Sequence, residues 1–213
     1  MKIALIGATG FVGAAVLAEL LQRGHSVGAL ARNPAKLAAQ DKLTVIKADV
    51  LDSEQVATAV AGYDAVISAY NPGWTNPNIH DEFLQGSEAI LAGLRMVGVK
   101  RVLVVGGAGS LYLPDGSQLV DSPDFPAEWK PGALAARELL NRIRKDTVLD
   151  WTFLSPPVHL EPGAHEGPYR VSEETPIMAG NAPGRITVAD LAVAIVDEIE
   201  TPKFVQKRFT VGY

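Results

Sequence analysis

The chain begins with a short apolar segment and a glycine-rich turn, and residues 3–13 read Ile3-Ala4-Leu5-Ile6-Gly7-Ala8-Thr9-Gly10-Phe11-Val12-Gly13. The first four residues are apolar on both faces, which is typical of a buried strand. Three glycines at intervals of three suit a tight turn, a close approach of backbone to ligand, and close helix–strand packing. Phe11 to Arg23 has the pattern of a helix, whose N-terminus offers free N–H groups and a positive dipole to a pyrophosphate. The stretch therefore predicts a strand–turn–helix unit that binds a pyrophosphate; the alternative is a glycine-rich turn without a ligand.

Apolar runs and amphipathic stretches alternate after this turn. The further predicted strands are Val27–Ala31, Leu43–Lys47, Ala65–Ala69, Val102–Val105, Asp150–Leu154 and Arg208–Val211. The further predicted helices run from Asp52 or Ser53 to Gly62, from about Asp81 to Val97, from Pro131 to Lys145 and from Thr187 to Ile199. Strands that alternate with helices indicate βαβ units. We therefore predict an α/β fold, a doubly wound parallel sheet with helices on both faces.

Length and composition restrict the possible classes of protein. With 213 residues, 47% hydrophobic and 20% charged, the chain is expected to form one domain, 1–213, with a small irregular C-terminal portion. Substrate-side loops are expected at about 70–80, 110–130 and 156–184. The absence of cysteine excludes disulfides, a thiolate nucleophile and cysteine-based metal sites.

Charge and hydropathy bear on partners and location. The formal net charge is −5 with no basic run, which disfavours a nucleic acid partner. No uncharged apolar stretch approaches the roughly 20 residues of a membrane span, and the N-terminus does not look like a signal peptide. We therefore expect a cytoplasmic monomer or homodimer without a membrane partner.

A basic residue stands where the second predicted strand ends. An NAD-binding site of this kind places Asp or Glu there to accept a hydrogen bond from the ribose 2′-hydroxyl. This chain instead reads Ala31-Arg32-Asn33 and has no acid until Asp41. Because an arginine can bind a 2′-phosphate in bidentate fashion, Arg32 predicts NADP(H) in preference to NAD(H). The alternative is a solvated surface arginine.

Two further segments follow predicted strands. Asp49-Val50 comes after the third strand, and Ser68-Ala69-Tyr70 comes after the fourth. Ligands of doubly wound sheets bind at the carboxyl ends of the strands. We therefore expect both segments to contact the cofactor, with Asp49 at the adenine.

Several segments together resemble the atypical short-chain dehydrogenase/reductases, in particular the NAD(P)H-binding, NmrA-like group that includes biliverdin-IXβ and flavin reductases. The likeness is carried by residues 7–13, Arg32, Asp49, Gly106-Gly107-Ala108-Gly109-Ser110 and Arg185-Ile186-Thr187. It covers essentially the whole chain and implies a Rossmann fold. It also implies that the cofactor is held by Gly7, Thr9, Gly10, Phe11, Val12 and Gly13.

The resemblance further implies two catalytic residues. Ser110 matches the serine that follows the family's fifth strand. Ser155-Pro156-Pro157-Val158-His159 is similar to a substrate-side loop in which a Pro-Pro-His run places a histidine near the nicotinamide, although Val158 is interposed here. Ser110 and His159 are the candidate catalytic residues; the alternatives are a turn cap and a structural histidine. No metal site is predicted, since His159, Glu161 and His165 fit no ligand spacing.

The chain departs from ordinary short-chain dehydrogenases in lacking Tyr-x-x-x-Lys, a pair that exchanges a proton with the substrate. Four residues after Tyr63, Tyr70, Tyr112 and Tyr169 come Ile67, Trp74, Gly116 and Glu173, and Tyr213 is the last residue. The region where the pair is expected reads Trp129-Lys130-Pro131-Gly132-Ala133. Alcohol–ketone chemistry by that pair is therefore disfavoured.

Reduction of a flavin or quinone needs no such pair, because the conjugated ring delocalises the incoming charge and water can supply the proton. The sequence thus favours an NAD(P)H-dependent oxidoreductase that transfers hydride to a planar acceptor. Tyr70 and Trp74 are candidates for an aromatic wall, with ordinary packing as the alternative. Two other functions stay open: a non-catalytic NmrA-like NADP(H)-binding redox sensor with a protein partner, and a sugar-type epimerase or dehydrogenase.

Overall fold

The computed structural model describes residues 1–213 and contains twelve strands and five α-helices. The strands are β1 (Lys2–Ile6), β2 (Ser26–Ala31), β3 (Leu43–Lys47), β4 (Ala65–Ser68), β5 (Arg101–Val105), β6 (Asp150–Leu154), β7 (His159–Glu161), β8 (Arg170–Ser172), β9 (Met178–Ala179), β10 (Ala182–Pro183), β11 (Arg185–Thr187) and β12 (Lys207–Gly212). The helices are α1 (Phe11–Gln22), α2 (Ser53–Val60), α3 (Ile79–Val97), α4 (Lys130–Ile143) and α5 (Val188–Glu200). None of the helices is both long and apolar enough to span a membrane.

Eight strands form one sheet in the order β3-β2-β1-β4-β5-β6-β12-β8. All neighbours pair in parallel except β8, which runs antiparallel to β12. Helices α1 and α5 pack together on one face, and α2, α3 and α4 pack side by side on the other. The doubly wound α/β prediction is confirmed.

The order of the strands fixes where a ligand can bind. The chain moves outward from β1 to β2 and β3, and then crosses back to β4 on the other side of β1. Such a reversal opens a crevice between the carboxyl ends of β1 and β4, and open α/β sheets bind their ligands in that crevice. The glycine turn after β1 lies at this point.

Capping and packing set the starts of two of the helices. Helix α2 begins where predicted, because the Asp52 carboxylate accepts hydrogen bonds from the backbone N–H groups of Glu54 (2.9 Å) and Gln55 (3.2 Å). Helix α3 begins at Ile79, two residues before the predicted Asp81. Ile79 is buried, and packing of its side chain explains the earlier start.

The irregular portion after β6 contains more pairing than the sequence predicts. β7 pairs in parallel with β11, and β9 with β10 forms a small hairpin. Within the loop expected at about 156–184, Arg170–Ser172 forms β8 and pairs with β12 at the edge of the main sheet.

Asp190, in the first turn of α5, fastens this portion to the domain. Its buried carboxylate accepts hydrogen bonds from the backbone N–H of Glu166 (2.8 Å), from the Tyr213 hydroxyl and from the Thr187 hydroxyl (3.2 Å). Burial alone would raise the pKa of Asp190, but the hydrogen bonds outweigh burial and the pKa lies below its usual value.

We expect Asp190→Asn to lower the free energy of unfolding by about 1–3 kcal/mol at pH 7, because the hydrogen bonds to a buried charged group are weakened. A carboxyl whose pKa is lowered by folding stabilises the protein above its unfolded pKa of about 3.9, and that stability is lost as the pH falls through the folded value. Thermal unfolding between pH 7 and pH 2 should therefore show the variant and the wild type converging at acid pH. Asp41→Asn, at an exposed carboxylate, is the control, and a gap that stays constant with pH would contradict the assignment.

Candidate dinucleotide site

The glycine turn holds β1, α1 and the end of β4 in direct backbone contact. Gly7 has φ +85°, and a Cβ there would lie 2.4 Å from the carbonyl oxygen of Ala69. A Cβ on Gly13 would lie 2.0 Å from the carbonyl oxygen of Gly7. A Cβ on Gly10 would meet only the Gly7 oxygen, at 3.3 Å. Gly7 and Gly13 are thus required by packing, whereas Gly10 leaves open space above the helix N-terminus.

That N-terminus has unused hydrogen-bond donors. Gly10 is the N-cap and provides no side chain. The first helical bond runs from the Ala14 N–H to the Gly10 carbonyl (2.9 Å), and the N–H groups of Phe11, Val12 and Gly13 donate to no acceptor in the chain. Free N–H groups, a positive helix dipole and no side chain above them together fit a phosphate group. The turn therefore has the form expected for a pyrophosphate of a dinucleotide.

Two cations lie beside the turn without an acidic partner. Arg32 directly follows β2 and is exposed. Lys36 lies in the next short turn, in which the Asn33 side chain accepts a hydrogen bond from Ala35 N–H (3.2 Å). No carboxylate lies within ion-pair distance of either cation. Lys36 and Thr9 line a cavity of about 570 Å³ between α1 and the loop after β2. Lys36 is not among the residues predicted from the sequence, although it follows Arg32 by only four residues.

Arg32 and Asp49 both lie within electrostatic range of Tyr70. Burial raises the pKa of Tyr70, the Glu82 and Asp49 carboxylates raise it further, and Arg32 opposes them. The Asp49 carboxylate also accepts a hydrogen bond from Leu51 N–H (3.1 Å), which orients it. The structure therefore brings together three residues that the sequence analysis placed at the cofactor.

The other predicted cofactor residues serve partly as packing. Val50 and Ser68 are buried, and Ala69 contacts Gly7. The Tyr70 ring stacks on Phe83, with centroids 6.3 Å apart, and its hydroxyl donates to the Glu82 carbonyl (3.2 Å).

Ser110 and His159 have different environments. Ser110 is buried in the turn after β5, and its Oγ accepts a hydrogen bond from Arg208 Nη1 (3.1 Å). His159 is exposed on β7, opposite Arg185 of β11. No hydrogen bond joins the two candidate catalytic residues.

Trp74 presents an indole at the carboxyl edge of the sheet. It lies in the loop after β4, and 59% of its surface is exposed. One edge of the ring packs on Gly132 in the first turn of α4, where a Cβ would lie 2.8 Å from Trp74 Cζ3. Gly132 thus makes room for the indole, which leaves much of the ring open to a ligand.

A family model described as NAD(P)H-binding matches residues 7–199. The chain belongs to this NAD(P)H-binding family. The match begins at the first glycine of the turn and extends through α5, so it includes every candidate site residue named above. The prediction of a nicotinamide cofactor and of a short-chain-dehydrogenase-like Rossmann fold is confirmed at this level.

Full-length relatives carry several names. Uncharacterized protein YwnB of Bacillus subtilis is 35% identical over 99% of this chain and 98% of its own. A structure from Bacteroides thetaiotaomicron named as a candidate epimerase is 43% identical, with a TM-score of 0.93 over 100% of this chain and 96% of that one. A structure from Streptococcus pneumoniae named as a candidate NADH-flavin reductase is 35% identical, with a TM-score of 0.85 over 100% and 99% of the two chains.

Proposed function

We propose that this NAD(P)H-binding protein is an NADPH-dependent reductase that transfers hydride to a planar conjugated acceptor such as a flavin or quinone. The observation that carries the proposal is the exposed Trp74 indole at the carboxyl edge, seated on a helix α4 that contains no tyrosine. A flat aromatic surface without a phenol–lysine pair suits stacking of a planar acceptor better than proton exchange with an alcohol.

The preference for NADPH is supported by Arg32 and Lys36. Both are cations without an acidic partner, and a 2′-phosphate would supply the missing negative charge. A carboxylate that could accept from a ribose 2′-hydroxyl is absent from the end of β2. The name of the Streptococcus pneumoniae relative mentions NADH, so this preference is a property that we propose for this chain.

Different residues of the site would bind different parts of the coenzyme and the acceptor. The N–H groups of Phe11, Val12 and Gly13 bind the pyrophosphate, Arg32 with Lys36 binds the 2′-phosphate, and Asp49 contacts the adenine. When bound, NADPH supplies the hydride. Trp74 holds the acceptor parallel to its own ring and excludes water from one side of it, so that the protein contributes orientation rather than acid–base chemistry.

Steady-state oxidation of NADPH with a panel of flavins and quinones tests the proposal. We expect turnover with at least one of these acceptors, and NADPH to be used in preference to NADH. Tight binding of NADPH without turnover on any acceptor would contradict the proposal and favour a redox sensor. Turnover only with a sugar substrate would favour the epimerase or dehydrogenase alternative. The cytoplasmic location and the oligomeric state stay predictions from the sequence.

Trp74→Ala should raise the KM for the acceptor about tenfold and leave the KM for NADPH unchanged, because stacking and apolar contact with the acceptor are lost. Trp74→Phe keeps a flat ring and should recover most of the affinity. Trp129→Ala, at a second exposed indole, is the control. Equal effects at Trp74 and Trp129, or an effect on NADPH alone, would show that Trp74 does not bind the acceptor.

A further inference from the structure

A buried arginine lies directly beneath the turn that carries Ser110. The side chain of Arg208, on β12, has no exposed surface. It lies opposite Phe153 of β6, on the sheet face that carries α4. Its guanidinium donates to Ser110 Oγ (3.1 Å), to the Glu174 carboxylate and to the Glu174 carbonyl (3.4 Å). A buried charge is costly unless it is paired. Glu174 provides that pairing, and the additional hydrogen bond to Ser110 is the contact that needs an explanation.

The hydrogen bonds of Ser110 follow from the chemistry of its partner. A guanidinium can only donate, so Ser110 Oγ must be the acceptor in this contact. A serine hydroxyl also has one proton to donate, and no protein atom accepts it from Ser110. The hydroxyl proton is therefore left for an atom that the chain itself does not provide. Ser110 lies at the carboxyl edge, in the short turn Ala108–Ser110 that follows β5.

We propose that Arg208 is a positioning residue that fixes Ser110 as a hydrogen-bond donor to a carbonyl oxygen of the acceptor. This inference rests on the proposed function. Hydride transfer moves two electrons from NADPH to the acceptor, NADPH becomes NADP⁺, and water supplies the proton that completes reduction. The carbonyl oxygens of a flavin or quinone gain negative charge in this step. A hydroxyl held in advance by a buried cation stabilises that charge.

Glu174 keeps the guanidinium in place from the opposite side. Its carboxylate also binds Arg144 Nη2, at 2.8 and 2.9 Å, and its carbonyl accepts from Tyr112 N–H (2.9 Å). Arg144 makes no hydrogen bond to Ser110. The chain therefore offers two arginines on one carboxylate, of which only Arg208 reaches the serine, and Arg144 is the natural control.

The cluster is not built as a closed structural network. Arg208 Nε, Ser155 Oγ and Thr210 Oγ1 are buried and have no hydrogen-bond partner. Arg208 and Thr210 point to the same side of β12, since side chains alternate along a strand. Ser155 lies beside them, because its N–H donates to the Phe209 carbonyl (2.9 Å). Buried polar atoms without a partner are costly, so these three atoms do not add to the stability of the fold.

A double-mutant cycle between Arg208 and Ser110 tests the proposal. We expect Arg208→Met and Ser110→Ala each to lower kcat for the acceptor by about tenfold to a hundredfold, the range for a hydrogen bond to a charged group. The Kd for NADPH should stay within about twofold. The double variant should be no slower than Ser110→Ala alone, because Arg208 acts only through the serine. Multiplied losses in the double variant would overturn the proposal.

Two further variants keep the test informative if Arg208→Met does not fold. Glu174→Gln removes the charge that holds the guanidinium. It should lower kcat by less than Arg208→Met does, and only while Ser110 is present. Arg144→Met removes the other cation from Glu174 and should leave kcat unchanged. If Glu174→Gln lowered kcat by the same factor in the wild type and in the Ser110→Ala variant, the coupling between Glu174 and Ser110 would be contradicted.

The failure of the proposed function is distinguishable from the failure of this inference. If the wild type turns over no acceptor, the proposed function fails. The same cycle is then measured as binding of FMN and menadione to the NADP⁺ complex by fluorescence quenching. Losses of affinity that are not additive between Arg208 and Ser110 support the positioning role, and additive losses or unchanged affinity overturn it.

Discussion

Gly13→Ala is expected to destabilise the protein by about 3 kcal/mol or more, because overpacking against fixed atoms has no inexpensive relaxation. The new Cβ would lie 2.0 Å from the Gly7 carbonyl oxygen and 2.6 Å from its carbon, both of which are backbone atoms. To accommodate it, α1 would have to move away from β1, and the buried contacts of α1 would be lost with that movement. Urea unfolding of the purified variant measures the effect directly.

Gly10→Ala is the matched comparison within the same turn. Its Cβ would meet only one atom, at 3.3 Å, so we expect the free energy of unfolding to change by less than about 1 kcal/mol. The methyl group would nevertheless stand at the N-cap above the free N–H groups, and NADPH affinity should fall tenfold or more. A Gly10 variant that binds NADPH normally would argue against a pyrophosphate at this helix N-terminus.

Arg32→Glu is expected to weaken NADPH binding by about a hundredfold or more and NADH binding by less than about threefold. A hydrogen bond between charged groups contributes about 1.5–3 kcal/mol, and the introduced carboxylate repels the 2′-phosphate in addition. NADH lacks that phosphate, so neither term applies to it. Calorimetric titration of both coenzymes gives the two ratios.

Lys100→Glu makes the same charge change at the amino edge of the sheet, just before β5, and should leave both affinities unchanged. Lys36→Ala should weaken NADPH binding by less than Arg32→Glu does, since only an attraction is removed. If Arg32→Glu weakened NADPH and NADH equally, the argument for recognition of a 2′-phosphate would be lost.

The fold could be predicted from the sequence where local pattern and packing agree. The parallel strands from β1 to β6 are apolar runs of four to six residues between recognisable helices, and their alternation specifies the doubly wound sheet. The pairing of β7 with β11 could not be predicted, because each has three residues and they lie far apart in the chain. Their pairing depends on the tertiary contacts that hold the loops, such as those of Asp190.

The candidate site divides in the same way. The glycine turn is a local motif, so its conformation and its free N–H groups follow from residues 7–13. Arg208 carries no local signal: its partners Ser110 and Glu174 are 98 and 34 residues away in the chain. In the sequence it is one basic residue at the start of a strand, and only the sheet order places it beneath Ser110.

The contact between Gly7 and Ala69 separates two parts of the connection after β4, of which only the first packs against the glycine turn. At Ala69 the backbone packs directly against Gly7 of the glycine turn. We therefore expect insertions at Ala69 to displace the glycine turn and to weaken binding of the dinucleotide. Residues 71–78 come after this contact, and they include Trp74. Changes within residues 71–78 can therefore alter the surface around Trp74 without moving the backbone that packs against Gly7.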